Sequence, residues 1–453
     1  MIENKLTKNQ IKYVLFHLRQ HALFDDKIIS YNKLNNPTVI FTLTKSEIQK
    51  NLTVDFMERE IPIIFSDSNS KEIFSFDESK NLIFHHDLLK SAFYILSGAQ
   101  EYNSKKKDAH GRYCYENSLH KELNFISYPI VNYYFEMILD GIEEFCRIHN
   151  LEFKRKRLFD NFGFFLSHDV DRVNFYGPKE TLSKVLQILN LRPTAYSFRL
   201  NIKHTLKSLH HLLFPNKEPD LWWNFEYLIN MEKELGIRST FYFLHSRNKK
   251  LDSKYRFDDD KVTSLIKKLD EEGFEVGLHG SYDSYINADF LKDEYNRVHS
   301  VLGKKPIGIR QHFLRYKIPD TAIIQENVGL KYDNTLTFAE HEGYRSGYCY
   351  PFHPYDFEND KMLSIWMIPL TIMEVTILQY RKISFDNFRK IVDKQISEAK
   401  KFGGLISLLW HNCRLMDDEI NGVSTFYPSL LKYIVKMSPE ILTGKDFITR
   451  IEE

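Results

Sequence analysis

From residue 163 to residue 411, short apolar runs alternate with amphipathic stretches, and this alternation limits the chain to few folds. The runs at 164–167, 239–245, 275–278, 307–309, 366–370 and 405–410 have strand length, and most are rich in β-branched and aromatic residues. Between them, 224–235, 258–272, 291–302 and 319–328 carry helical periodicity, with Gly236 and Gly273 placed to end two of the helices. Strand and helix repeated in this way predict parallel strands joined by crossover helices, closed or nearly closed into a barrel whose strand ends share one rim.

Polar residues of catalytic type stand at those ends: Asp169 and Asp171, His245, His279 with Asp283 four residues on, Arg310 with His312, and His411. A single such residue is ordinary, because a strand-end Asp often caps the next helix. Their recurrence points to a site, since the carboxyl ends of parallel strands are where catalytic groups collect. Burying His168, Asp169 and Asp171 together would be costly without partners or a metal. Two carboxylates and an imidazole suit a zinc-like divalent ion with one position left for water. A further carboxylate can take that water's proton, and a separate His can protonate a leaving amine. Hydrolysis of an amide or ester is the reaction this set suits.

Length and charge narrow the class. The 453 residues exceed one ordinary domain, and 62 basic against 61 acidic side chains argue against a nucleic-acid partner. Cys114, Cys146, Cys349 and Cys413 have no Cys-x-x-Cys spacing and read as reduced thiols. The first residues show no apolar leader and the chain has no apolar run of spanning length, which places the protein in the cytoplasm.

Residues 1–155 read as a smaller α/β accessory domain, with the barrel domain at 156–453. Helices are expected at 7–20, with Thr7 as N-cap, at 87–96 and at 129–149; strands are expected at 39–43, 61–66 and 82–84. Residues 101–115 read as a surface loop, and the basic run 154–157 as a solvated boundary. From Thr181 to Lys217 there is no acidic residue, while Lys184, Arg192, Arg199, Lys203, Lys207 and Lys217 are basic. The helical pattern in this stretch has two readings. It is either a helix packed on the body with its basic side in water, or a peripheral contact of residues 199–214 with an anionic membrane at the inner face.

In the order of its motifs, 163–415 resembles the polysaccharide deacetylases of carbohydrate esterase family four. Ser167-His-Asp-Val-Asp is similar to the family's first motif, Gly277-Leu-His-Gly-Ser-Tyr-Asp to the second, Arg310 to the arginine of the third, and Leu408-Leu-Trp-His to the fifth. The stretch from Tyr332 to Gly347 resembles the fourth-motif region of a bacterial branch that carries an extra N-terminal domain. The resemblance implies a distorted (β/α) barrel that removes acetyl groups from glycans with a divalent metal. By it, Asp169 is the general base, Asp171, His279 and Asp283 the metal ligands, His411 the general acid, and Arg310 with Asp333 the residues that fix their charge states. It implies zinc first, with manganese, magnesium or cobalt as alternatives, and an acetylated sugar or glycan as substrate; the expected compartment adds a lipid-linked glycan precursor, in surface polysaccharide assembly.

Two departures from the family pattern bear on the metal. Asp283 stands where most members have a second His, and His312 stands where a proline is usual; His312 or His168 could supply the missing imidazole. Two other functions stay open: hydrolysis of a non-sugar C–N bond, and a catalytically silent glycan-binding protein on the same fold.

Overall fold

The computed structural model describes residues 5–30, 38–45, 47–194, 196–214, 220–248, 250–417 and 420–452. Lys217, the last basic residue of the acid-free stretch, lies outside them. Strands β1 (Gly163–Val170), β2 (Thr240–Leu244), β3 (Glu275–Gly280), β4 (Gly308–Gln311), β5 (Tyr332–Asp333) and β6 (Trp366–Met367) lie side by side in chain order, and every pair is parallel. Beyond β1 on its other side the sheet continues through β7 (Ile372–Met373) and β8 (Leu405–Leu409), with β8 next to β1; β9 (Glu440–Ile441) pairs with the start of β1. The result is a curled parallel sheet of the mixed α/β kind expected.

Its two edges, β6 and β7, are consecutive in the chain, so residues 366–373 bridge the sheet by themselves. Ile368 N donates to Asp333 O at 2.9 Å, and beyond Pro369 the segment reaches the opposite edge. Pro369 has no N–H to offer a ladder. There, hydroxyls replace part of the backbone pairing: Thr371 N donates to Ser407 Oγ (3.0 Å), and Ser407 N to Thr371 Oγ1 (3.1 Å).

Alternate residues of each strand face the interior, where large rings lie over glycines of neighbouring strands. Tyr332 is in register with Gly308, and Tyr242 with Gly277. A Cβ on Gly308 would come within 2.1 Å of the Tyr332 ring, and one on Gly277 within 2.6 Å of Tyr242. Phe447 and Ile448 of the C-terminal helix Gly444–Glu452 pack with Phe165 and Leu405, closing the end of the barrel away from the site.

The N-terminal helices are Lys8–Leu18, Leu88–Leu96 and Ile130–Ile148. Thr7 caps the first in a reciprocal box with Gln10, and Asp87 caps the second. One apolar core runs without a break from Ile11 to Ile434, so these helices share it with the barrel. At the junction, Tyr13 Oη donates to His353 O (2.8 Å), His353 N donates to His17 Nε2 (3.1 Å), and the His21 ring stacks on Tyr350 at 4.3 Å.

Several local expectations are corrected. The strand expected at 61–66 is Arg59–Pro62, paired as a hairpin with Thr53–Phe56. The basic run at 154–157 is not simply solvated: Phe153–Arg155 pairs with Ala22–Phe24, and Arg155 reaches Glu136, Asp140 and Glu143. Nor is 101–115 only a surface loop. Glu101 is buried against Arg345 (2.6 and 2.8 Å), and the segment's far end reaches the barrel mouth. Among the described residues, no helix is long and apolar enough to cross a membrane.

Candidate active site

Period-2 alternation along β1 turns Ser167 and Asp169 to the barrel interior, and the chain continues so that Asp171 joins them. His168, of opposite parity, points outward. Its two ring nitrogens bond the Trp410 carbonyl and the Glu232 carboxylate, each at 2.7 Å, and it does not supply the missing imidazole. Arg310, fully buried on β4, donates to Asp169 Oδ1 (2.7 Å), Ser167 Oγ (2.8 Å) and Asn334 O (3.0 Å). Burial opposes charge on Asp169, yet Arg310, with His279 and His411, holds its carboxyl below the usual range.

Three atoms converge beside this pair. Asp171 Oδ1, His279 Nε2 and His312 Nε2 all lie within 4.8 Å of one another. His279 Nδ1 donates to Arg310 O (2.8 Å), so its Nε2 presents a lone pair toward Asp171 Oδ1 at 3.3 Å. His312 Nδ1 bonds the buried Asp252 carboxylate at 3.2 Å, which leaves Nε2 facing Asp171 Oδ1 at 3.8 Å. Asp171 Oδ1 is buried without a hydrogen-bond partner. Acceptors that face one another in this way need a proton or a cation between them. Each imidazole is anchored through its far nitrogen, as metal-binding histidines are. A divalent ion therefore fits the donor set of one carboxylate and two imidazoles.

His411 completes the group from the end of β8. Its Nδ1 lies 2.6 Å from Glu374 Oε1, which also accepts the His411 backbone N–H at 3.0 Å. Its Nε2 faces Asp171 Oδ2 at 3.7 Å and Asp169 Oδ2 at 3.9 Å. Burial works against its charge, but Glu374 first, then Asp171 and Asp169, push its pKa up to about 9.

Of the residues named from sequence, Asp169, Asp171, His279, Arg310 and His411 come together. Asp283 and Asp333 do not. Asp283 sits in the turn after β3, its side chain 51% exposed and turned to Arg315 at 3.3 Å, and it is His312 that stands with Asp171 and His279. Asp333 is bonded to Thr335 and Gln325, while Asn334 contacts Arg310 and Glu374 holds His411. His245 points to Phe257 (ring centroids 5.0 Å apart) and does not line the cleft. Glu374 escaped notice in the sequence because the strand before it, β7, is two residues long and follows Pro369.

The group opens into a cleft of about 230 Å³ lined by Arg112, Arg172, Phe313, Met373, Tyr380 and Arg414, among others. Arg112 comes from the segment read as a surface loop. It pairs with Asp108 at 2.7 Å and donates to Phe313 O at 2.9 Å. Phe313 and Leu314 have left-handed backbones (φ 59° and 55°) without being glycine, a conformation that costs on the order of 1 kcal/mol or more each. They follow His312 directly, so Arg112 braces the strained loop that delivers the third candidate ligand.

Residues 2–146 match the model of a family of unknown function, DUF7033. Comparison with curated proteins gives no match. Among solved structures, a probable polysaccharide deacetylase from Pseudomonas aeruginosa PAO1 is similar at 11% identity and a TM-score of 0.42, over 64% of this chain and 91% of that one. A CE4 family pseudoenzyme from Bacillus anthracis is similar at 10% identity and TM-score 0.31, over 64% and 66%. The CE4 domain of a multidomain xylanase from the hindgut metagenome of Trinervitermes trinervoides is similar at 12% identity and TM-score 0.30, over 64% and 92%. Scores this low leave the functional reading to the site's own geometry.

Proposed function

We propose that the chain is a metal-dependent hydrolase that removes an acetyl group from an N-acetylated sugar or glycan precursor, in the manner of the polysaccharide deacetylases its motifs resemble. The observation that carries this reading is the meeting of Asp171 Oδ1, His279 Nε2 and His312 Nε2 around a partnerless buried oxygen. They stand between a carboxylate held by an arginine and an imidazole held by a carboxylate. Bound to those three atoms, a divalent ion, zinc first, supplies the charge that polarises an acetyl carbonyl and acidifies water.

The remaining work belongs to side chains. Arg310 occupies Asp169 Oδ1 and keeps the carboxylate ionised, which leaves Oδ2 to take the proton of the attacking water. His411 carries a proton on Nε2 and delivers it to the departing amine. Glu374 holds the ring by Nδ1 and stabilises the cation until that transfer. Phe313 and Tyr380 give the cleft aromatic walls against which a sugar ring can lie.

Metal content and acetate release test the proposal together. Wild type is expected to hold about one ion per chain, to lose it in Asp171→Ala and His312→Ala, and to keep it in Asp283→Ala. Across a panel of N-acetylated sugars, acetate release should vanish in Asp169→Asn while the metal stays bound. A wild type that refuses zinc, manganese, magnesium and cobalt, or an Asp169→Asn enzyme with undiminished turnover, would overturn it.

A further inference from the structure

The excursion between β1 and β2 is built inside out. Its second helix, Phe198–Leu213, buries Asn201, His204, Thr205 and Ser208, all polar. Phe198, Ile202, Leu206, Leu209 and Leu213 are exposed, with Phe198 at 65%, Leu206 at 62% and Leu213 at 74%. Two of these polar side chains bond within the excursion: Asn201 Nδ2 donates to Thr194 Oγ1 (3.3 Å) and Tyr196 O (3.4 Å), and Thr205 Oγ1 donates to Asn201 O (2.8 Å). The preceding helix, Pro178–Ile188, buries only Thr181 and Lys184, and Leu191 in the link between the two is 70% exposed. Ten of the eighteen large apolar side chains exposed among the described residues fall within 182–214, so the apolar surface is concentrated on this one feature.

Charge narrows the partner. No Asp or Glu occurs from 181 to 214. Arg199, Lys203 and Lys207 each follow one residue after Phe198, Ile202 and Leu206, which places a cationic stripe about 100° further round the helix, along one flank of the apolar strip. Lys184 is not part of it, being buried with its ammonium 3.9 Å from the centre of the Phe175 ring. An antiparallel two-fold contact between copies through this face would bring the cationic stripe close to itself. An interface of acyl chains and anionic headgroups answers both the strip and the stripe.

We infer that residues 182–214 form a docking surface for an anionic lipid bilayer. The surface is tied to the catalytic rim. Asp220, at the return of the excursion, accepts from the backbone N–H groups of Phe175 (2.7 Å), Tyr176 (2.8 Å) and Trp222 (2.9 Å). Asn412, next to His411, donates to Arg172 O (2.8 Å) and Trp222 O (3.0 Å). The root of the excursion therefore lies beside the rim where Arg172 lines the cleft.

Sedimentation of the full chain with vesicles tests this, using phosphatidylcholine alone and phosphatidylcholine with about one-third phosphatidylglycerol. The protein is expected to sediment with the anionic vesicles at low salt and to be released by high salt. A Leu206→Glu, Leu213→Glu double variant should bind at least about tenfold more weakly, and Arg199→Glu, Lys203→Glu should lose the preference for phosphatidylglycerol. Both variants are first checked for unchanged circular dichroism, and Leu206→Gln with Leu213→Gln stands in if the charged pair misfolds. Wild type left in the supernatant with anionic vesicles, or variants that sediment like wild type, would overturn the inference. So would a wild-type dimer in light scattering that the leucine variants convert to monomer, since the face would then be covered by a second copy.

Discussion

Lowering the pH should strain the junction between the N-terminal helices and the barrel, and His17 allows the effect to be isolated. His17 is fully buried, its Nδ1 donates to Tyr13 O (2.8 Å) and its Nε2 accepts from His353 N (3.1 Å), so the neutral ring fits and the imidazolium does not. Burial, aided by His353, lowers its pKa from 6.5 to about 3. Below about pH 6.5 the unfolded chain takes up a proton that the folded chain refuses, and stability falls with pH until about pH 3. From about pH 7 to about pH 5 the loss is about 2 kcal/mol for this one group. His21 and His120, lowered to about 3, and His353, lowered to about 4, act in the same direction. Asp87 and Asp333, raised by burial to about 6, act in the opposite one, because the folded chain protonates them first as the pH falls. The total is therefore mixed, and a paired comparison is needed. His17→Gln keeps an acceptor for the His353 N–H and removes the titration. In urea unfolding followed by circular dichroism, wild type should lose about 2 kcal/mol more than His17→Gln between the two pH values. Equal pH dependence in the two proteins would refute the reasoning.

Other substitutions probe the site and the barrel. Glu374→Gln should lower kcat by about tenfold to a hundredfold with little change in KM, and should move the alkaline limb of the pH–rate profile to lower pH, since it acts by holding the proton on His411. Arg112→Ala removes the brace on Phe313 O, and is expected to weaken metal retention measured by competition with a chelator while Asp283→Ala leaves it unchanged. Gly308→Ala drives a methyl into the Tyr332 ring and should cost about 1–3 kcal/mol in urea unfolding.

What the sequence made legible follows from periodicity. Asp169 and Asp171 lie two apart at the end of a strand, and Arg310 and His411 end later strands, so a parallel sheet brings them to one rim whatever its finer geometry. Asp283 misled because an i, i+4 pair shares a face only on a helix, and 281–285 is a turn. His312 was visible as a residue, but its direction depends on the left-handed backbones of Phe313 and Leu314, which residue type does not announce. Asp333 and Asn334 sit at a strand of two residues, too short for pattern to say which one turns to Arg310. The helix at 198–213 was legible as amphipathic, but which side it buries is decided by how it packs on the preceding helix Pro178–Ile188 and on Phe175, which periodicity does not give.

The shared core bears on how the molecule can be divided. A cut at residue 155 severs the chain where a sequence reader would place it, but it falls across one continuous packing unit. Freed from Tyr13, His17 and His21, the second half would turn Tyr348, Tyr350, His353 and Tyr355 to water, and its Arg345 would lose the carboxylate of Glu101. Made alone, 156–453 is expected to be sticky and poorly soluble, and supplying residues 1–155 in trans should rescue it, as for a protein cut in two. It would also lack Arg112, so the half that holds every proposed catalytic group would still present its pocket with an unbraced edge.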